Sequence, residues 1–122
     1  MLDHIGFCVG DVAASRAFYA AALAPLGIGI EAEFGDHMGF GRDGRAQFWF
    51  SGGGKPAGGM HLAFAARNRE EVRAFYAAAL KAGAKDNGEP GLRPHYHPHY
   101  YGAFVIDLNG HNIEAVCRSP EG

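Results

Sequence analysis

An internal repeat constrains this chain more than any other feature of its sequence. Residues 16–23 recur letter for letter at residues 73–80, 57 positions later, as RAFYAAAL. The same shift sets His4 on His61 and aligns the apolar residues that follow each histidine. Because the match extends upstream of the repeated octapeptide, we interpret the chain as two copies of one supersecondary unit.

Each copy is predicted to open with a strand and to continue into a helix. In residues 3–9 and 60–66, large apolar side chains occupy every second position, which is typical of strands with one buried face. Asp11 is expected to cap the first helix and Asn68 the second, since short polar side chains satisfy free amides at helix starts. Gly83 is suited to the left-handed position after the second helix.

Three short strands are predicted after each helix. They are placed near residues 28–34, 37–42 and 46–51 in the first copy, and near 84–87, 101–108 and 111–117 in the second. Asp43-Gly44 and Asn109-Gly110 have the composition of hairpin turns, and the Gly-rich residues 52–59 are expected to link the copies. The predicted fold class is α+β: two tandem βαβββ modules, residues 1–51 and 60–118, that form a cupped mixed sheet with helices outside.

Composition limits the functions open to the chain. With 122 residues, of which 48% are hydrophobic, we expect one domain spanning residues 1–122 with a filled core. The net charge of -2 and the lack of a Lys/Arg run argue against nucleic acid as a partner, and the apolar stretches are too short for a membrane span. The N-terminus does not have the pattern of a signal peptide, so a cytoplasmic protein with two free thiols, Cys8 and Cys117, is expected.

Two histidines and one carboxylate are the candidate metal ligands. His4 and His61 hold equivalent positions, so they converge if the two copies pack about a pseudo-twofold axis. Glu114 lies among apolar neighbours on the predicted last strand, where an ionised carboxylate is costly unless it is paired or bound to a cation. This set suits one divalent ion, Zn, Ni, Mn, Co or Fe(II). The alternative is that both histidines are structural and that Glu114 faces water on an edge strand.

A tract rich in His and Tyr, residues 93–101, precedes the seventh predicted strand. His97 and Tyr100 are candidates for acid–base catalysis or for hydrogen bonding to a substrate, and Glu114 is a third catalytic candidate. The alternative is a solvated loop whose aromatic side chains pack over the rim of a pocket.

The walls of the expected pocket are apolar. Phe48, Cys8 and Tyr101 are the candidate substrate-binding residues. By strand alternation, Phe48 is expected to share the cup with Glu114, while Trp49 is expected to face the helices.

The chain resembles the vicinal-oxygen-chelate superfamily, which contains glyoxalase I, bleomycin-resistance proteins and extradiol dioxygenases. The resemblance rests on the duplicated module, on the histidine in the first strand of each copy, and on residues 107–116, DLNGHNIEAV, which are similar to that family's D-x-x-G-x-x-I-E closing hairpin. It implies that His4, His61 and Glu114 are metal ligands. Aligning the hairpin turns places Phe48 opposite Glu114, so the fourth ligand position does not match, and Gln47 is one residue away from it.

The resemblance also implies a function. It indicates a metal-dependent lyase or isomerase, similar to lactoylglutathione lyase, or a dioxygenase, which acts on a small molecule chelated through two neighbouring oxygens. The alternative is a bleomycin-resistance-like protein that binds a small molecule without catalysis. Family members often pair, so we expect a homodimer.

Overall fold

The elements of the chain follow the predicted order in both modules. The computed structural model describes residues 1–120. The first module contains β1 (Ile5–Cys8), α1 (Val12–Leu23), a short 3₁₀ helix (Ala24–Leu26), β2 (Gly29–Phe34), β3 (His37–Arg42) and β4 (Arg45–Ser51). The second contains β5 (His61–Ala65), α2 (Arg69–Lys81), β6 (Lys85–Leu92), β7 (Tyr101–Ile106) and β8 (Asn112–Cys117). The prediction of two tandem βαβββ modules is confirmed.

Each module folds into a four-stranded mixed sheet of its own. The strand orders are β1-β4-β3-β2 and β5-β8-β7-β6, so the two sheets have the same topology. In each, the first and last strands of the module pair in parallel and the other pairs are antiparallel. The mixed sheet predicted from the repeat is therefore present as two separate sheets, one for each module.

Both helices begin at the predicted caps. The Asp11 side chain accepts a hydrogen bond from the Ala14 amide at 3.0 Å, and the Asn68 side chain accepts one from the Glu71 amide at 2.9 Å. Gly83 follows α2 with φ +115°, a backbone conformation that favours glycine. The helices have 12 and 13 residues, and no helix within residues 1–120 is long and apolar enough to cross a membrane.

One core is shared by the two modules. Helices α1 and α2 pack against each other, and Phe48 of the first sheet contacts Phe64 of the second with ring centroids 5.4 Å apart. The Tyr19 hydroxyl, on α1, donates a hydrogen bond to the Asp107 carboxylate at the β7–β8 turn, and both groups are buried. The largest fully buried apolar side chains are Tyr19, Phe18, Phe40, Phe50, Phe75, Leu23, Leu26 and Ile113. Each sheet packs one face on this core and turns its other face away from it.

Strand β6 is longer than predicted because irregular pairing accommodates residues that are typical of turns. The prediction ended at residue 87, whereas the strand continues to Leu92. Its register against β7 shifts between Asp86 and Gly88 and again between Gly88 and Gly91. Pro90 is tolerated because β6 is an edge strand, where a missing amide need not break a ladder.

A bulge in β4 breaks the symmetry between the modules. Phe40 of β3 pairs with Phe48, but the next residue, Gly41, pairs with Ala46, which leaves Gln47 as an extra residue in β4. The equivalent pairing of β7 with β8 is regular over its whole length. Since side chains alternate along a strand, one inserted residue changes which side chains face the core.

Candidate functional site

The second module brings His61 and Glu114 together on the open face of its sheet. His61 is the first residue of β5, and Glu114 is in the middle of β8, where the parallel register sets it beside Ala63. The imidazole Nε2 lies 3.1 Å from the Glu114 Oε1 atom. Half of the His61 side chain is exposed, whereas only 2% of the Glu114 side chain is.

A backbone hydrogen bond orients the His61 ring. Its Nδ1 lies 3.1 Å from the Asn112 carbonyl oxygen. A carbonyl can only accept, so Nδ1 carries the proton, and the lone pair of a neutral imidazole then points from Nε2 towards a carboxylate oxygen. Two acceptors at this distance need a proton or a cation between them. His61 and Glu114 therefore fit two ligands of a divalent metal ion, with the outer hydrogen bond that metal-binding histidines usually have.

Tyr100 completes the polar cluster around Glu114. Its hydroxyl donates a hydrogen bond to the Glu114 Oε2 atom, and only 7% of the residue is exposed. Burial, and then the hydrogen bond with Glu114, raise the pKa of Tyr100 to about 12, so the phenol stays protonated at neutral pH. Gly102 leaves room for this pair, because a methyl group there would lie 3.2 Å from Glu114 Oε2 and from Tyr100 Cε1.

The cluster lines a cavity of about 400 Å³ on the second sheet. Two guanidinium groups lie near its aromatic side chains: Arg118 is 5.0 Å from the Tyr100 ring, and Arg93 is 5.3 Å from the ring of Phe104. The residues that line the cavity are His61, Tyr96, Tyr100, Phe104, Glu114 and Arg118.

His4 lies in a different cavity, on the open face of the first sheet. It precedes β1, its Nδ1 is 2.8 Å from the Asp3 carboxylate, and 60% of its side chain is exposed. This cavity has a volume of about 480 Å³. It is lined mainly by aromatic and small side chains, including Gly6, Cys8, Phe34, His37, Trp49 and Ser51.

The expectation that His4 and His61 converge within one chain is wrong. The two histidines line separate cavities, and residues 1–120 contain no group of three or more His, Cys, Asp or Glu side chains placed to bind one metal ion. The reason is the packing of the modules. Core-facing side chains meet between the sheets, as where the rings of Phe7 and His111 lie 4.4 Å apart, so each open face points away from the other module.

Phe48 and Trp49 face opposite directions from those predicted. Phe48 is buried in the core at 4% exposure and packs on Tyr19, with ring centroids 4.9 Å apart. Trp49 pairs with Gly6 of β1 and lines the same cavity as His4. Without the bulge, the alignment from the hairpin turn would have been correct.

The bulge also decides which residue corresponds to Glu114 in the first module. Glu114 pairs with Ala63, two residues after His61, and Trp49 pairs with Gly6, two residues after His4. The position that the resemblance assigns to a fourth ligand is therefore Trp49. Gln47 is exposed at the bulge and borders a third cavity, next to Phe48.

The other candidate residues are placed as follows. Cys8 lines the His4 cavity. His97 accepts a hydrogen bond from the His99 amide in the turn before β7 and does not line the Glu114 cavity. Tyr101 points to the helix side of the sheet, where Arg73 of α2 donates to its hydroxyl at 3.2 Å.

Sequence reasoning missed several residues that line the cavities, among them Arg118 and Trp49. Arg118 lies two and four residues after Val116 and Glu114, so strand alternation alone predicts that it shares their face. Trp49 was assigned to the wrong face because nothing in the sequence of β4 reports the bulge. The glycines of the facing strand β3, Gly39 and Gly41, were the available signal, since glycine in a strand often marks a bulge or a close approach.

Comparisons with known proteins agree with this architecture. Residues 1–115 match the family model described as the Glyoxalase/Bleomycin resistance protein/Dioxygenase superfamily. A glyoxalase/bleomycin resistance protein from Albidiferax ferrireducens T118 is 31% identical, with 94% of this chain and 97% of that chain covered and a TM-score of 0.83. No curated protein matches the chain.

Two further solved structures share the fold at lower identity. A glyoxalase/bleomycin resistance protein/dioxygenase family enzyme from Burkholderia phytofirmans PsJN is 17% identical, with 96% of this chain and 98% of that chain covered and a TM-score of 0.74. Oxidase ChaP-H1 is 22% identical, with coverage of 100% and 98% and a TM-score of 0.71. The match to the family model over nearly the whole chain establishes that this protein belongs to the glyoxalase/bleomycin resistance protein/dioxygenase superfamily.

Proposed function

We propose that the protein is a metal-dependent enzyme whose site is shared between two copies of the chain. His61 and Glu114 of one copy and His4 of the other would bind one divalent ion, Zn, Ni, Mn, Co or Fe(II). The observation that carries the proposal is the His61–Glu114 pair: the imidazole Nε2 lies 3.1 Å from a carboxylate oxygen, and the Glu114 residue is 1% exposed. A buried carboxylate facing an imidazole lone pair is costly unless a cation or a proton lies between them.

The need for a second copy follows from the separation of the half-sites. His4 and the His61–Glu114 pair are on sheet faces that both turn away from the shared core. Within residues 1–120 of one chain, no three His, Cys, Asp or Glu side chains are grouped to bind one metal ion. A twofold dimer that sets the first sheet of one copy over the second sheet of the other would assemble two equal sites. Large exposed apolar side chains on or beside both faces, Phe34 at 61% and Tyr96 at 60%, support burial of these faces in a dimer.

When bound, a divalent ion supplies Lewis acidity towards two neighbouring oxygens of a small substrate. The protein groups would orient the substrate and handle its proton. Tyr100 holds its proton against Glu114 Oε2, which leaves Oε1 as the basic atom that faces the site. Because Oε1 is also the atom that would hold the ion, Glu114 is our candidate for the base that accepts a proton from carbon next to a carbonyl on the condition that a chelating substrate displaces it from the ion.

The reaction class that fits these groups is a lyase or isomerase similar to lactoylglutathione lyase, with ring-opening dioxygenation as the other enzymatic candidate. One observation favours a second function, binding without catalysis. The position equivalent to Glu114 in the first module is Trp49, so half of the site offers an aromatic surface in place of a carboxylate.

Subunit complementation tests the shared site. His4→Ala and Glu114→Ala chains, each with a different affinity tag, are coexpressed, and the heterodimer is purified through both tags. Each variant alone should lose tightly bound zinc, measured by mass spectrometry against protein. The heterodimer has one intact site and one doubly altered site, so it should bind one zinc ion where the wild-type dimer binds two. His95→Ala is the control for adventitious binding by the His-rich tract and should leave zinc content unchanged.

Three results would contradict the proposal. A heterodimer without zinc would mean that His4 and Glu114 do not meet across an interface. Full zinc binding by Glu114→Ala would mean that the metal binds at other residues. Full occupancy without turnover of 2-oxoaldehyde hemithioacetals or catechols in the wild type would leave the binding function as the better account.

A further inference from the structure

The first sheet offers a flat aromatic surface beside His4. Trp49 is half-buried, and its indole lies above the backbone of Gly39, where an added methyl group would be 2.9 Å from the Cζ2 and Cη2 atoms. The Phe34 ring lies 5.8 Å from the indole, and the His37 ring stacks on Phe34 with centroids 5.3 Å apart. All of these rings line the cavity that holds His4.

One small residue positions the indole. Gly39, on the neighbouring strand, leaves the space that the six-membered ring occupies, since an added methyl group would lie 2.9 Å from that ring. The side chain is thereby held against the sheet and not extended into solvent. A rigid aromatic surface of this kind binds a planar ring with little loss of conformational entropy.

We infer that Trp49 determines specificity by stacking on an aromatic ring of the substrate, whose two neighbouring oxygens are held at the His4/His61/Glu114 site. This inference rests on the proposed function, because it takes the chelated oxygens as the other end of the ligand. The bulge at Gln47 is its structural origin, since the inserted residue turns Trp49 towards His4 and turns Phe48 into the core. The ligand class is therefore an aryl compound with vicinal oxygens and not an aliphatic one.

Two hydroxamate ligands distinguish the contribution of the aromatic ring to binding from that of the chelating group. Benzohydroxamate and acetohydroxamate bind metals through the same two oxygens and differ only in phenyl against methyl. Their dissociation constants are measured by calorimetry on zinc-loaded and zinc-free protein, because zinc is redox-inert. Stacking predicts that the preference for benzohydroxamate falls about two- to tenfold in Trp49→Leu relative to wild type. Trp49→Phe, which keeps an aromatic ring, should keep part of that preference.

Tryptophan fluorescence provides a second readout that does not depend on the variants. Trp49 is the single tryptophan of the chain, so its emission reports on this cavity alone. Saturating benzohydroxamate should change the emission of zinc-loaded wild type, whereas acetohydroxamate should change it little. Zinc content and far-ultraviolet circular dichroism establish that each variant is folded and loaded.

The outcomes distinguish the two proposals. An unchanged ratio of the two affinities in Trp49→Leu, or emission that benzohydroxamate leaves unaltered, overturns the stacking inference while the chelate site stands. If neither hydroxamate binds zinc-loaded protein more tightly than zinc-free protein, the proposed metal function fails, and the stacking inference falls with it.

Discussion

Removal of one hydroxyl group, by Tyr19→Phe, should weaken the junction between the modules. The Tyr19 hydroxyl is buried and donates to the Asp107 carboxylate, which also accepts hydrogen bonds from the amides of Asn109 at 2.8 Å and His111 at 2.9 Å. The substitution retains the apolar ring and leaves one oxygen of a buried carboxylate without its donor. A hydrogen bond to a charged group contributes about 1.5–3 kcal/mol, so we expect the free energy of unfolding to fall by about 2 kcal/mol.

The repeat supplies a matched control for this substitution. Tyr76 is the equivalent residue of α2, and its hydroxyl donates to Asp86 at 3.0 Å in an exposed position. Because water can replace this bond, Tyr76→Phe should change the free energy of unfolding by no more than about 0.5 kcal/mol.

Urea titration followed by circular dichroism measures both variants. The midpoint should fall for Tyr19→Phe with an unchanged slope, since the surface exposed on unfolding is the same. For a chain of this size the melting temperature drops by about 4 °C for each kcal/mol, so a decrease of about 8 °C is expected. Two results would refute this reasoning: the same loss of unfolding free energy in both variants, or a loss below about 0.5 kcal/mol for Tyr19→Phe. In either case the Tyr19–Asp107 hydrogen bond would not stabilise the contact between the modules.

The pH dependence gives the same prediction a second test. Burial and the adjacent Asp107 carboxylate raise the pKa of Tyr19 above its ordinary value. The folded state thus favours the protonated phenol, and the resulting stability is fully present below the pKa of an unfolded tyrosine, about 10. That stability decreases as the pH rises above this value. The difference in unfolding free energy between wild type and Tyr19→Phe should therefore decrease above about pH 10. A difference that stays constant would mean that the buried phenol does not contribute this stability.

Three further predictions concern the bulge, the cluster and the corrected face of β4. Gly41→Ala should destabilise the fold by more than about 3 kcal/mol in urea titration, because the methyl group would overlap the Arg45 carbonyl oxygen, whereas Gly29→Ala, with nothing within 4 Å, should not. Tyr100→Phe should remove the phenol that ionises near pH 12 in an ultraviolet titration. Because the pKa of Tyr100 is raised in the folded state, the difference in unfolding free energy between wild type and Tyr100→Phe should decrease between about pH 10 and 12. Phe48→Ala should lower the free energy of unfolding by about 3–5 kcal/mol and leave the preference for benzohydroxamate unchanged, because the ring is in the core. Loss of that preference with little destabilisation would mean that Phe48 faces the ligand site.

Local features of the fold could be predicted because they depend on neighbours in sequence. Asp11 and Asn68 cap their helices within three residues of their own positions, so the sequence contains the whole interaction. The identical octapeptides require similar helices in similar surroundings, which made the two modules predictable. The predicted equivalence of His4 and His61 on their strands also follows from the repeat alone.

Features that depend on packing between elements could not be predicted in the same way. The bulge at Gln47 depends on how β4 pairs with β3, and an error of one residue exchanged the faces of Phe48 and Trp49. Equivalence of His4 and His61 also does not imply that they meet. Symmetry relates the positions, but packing of both modules on a shared core decides that the open faces point away from each other within a chain.

In the proposed site, the two modules would contribute different groups. The second sheet concentrates the ionisable groups: a buried carboxylate, a phenol that donates to it, and a histidine oriented by a backbone carbonyl. The first sheet has two exposed histidines, His4 and His37, beside an indole. One inserted residue in β4 places Trp49 at the position that corresponds to Glu114. On the two proposals above, Glu114 would hold the chelating group at one end of a ligand, and Trp49 would select the ring at the other end.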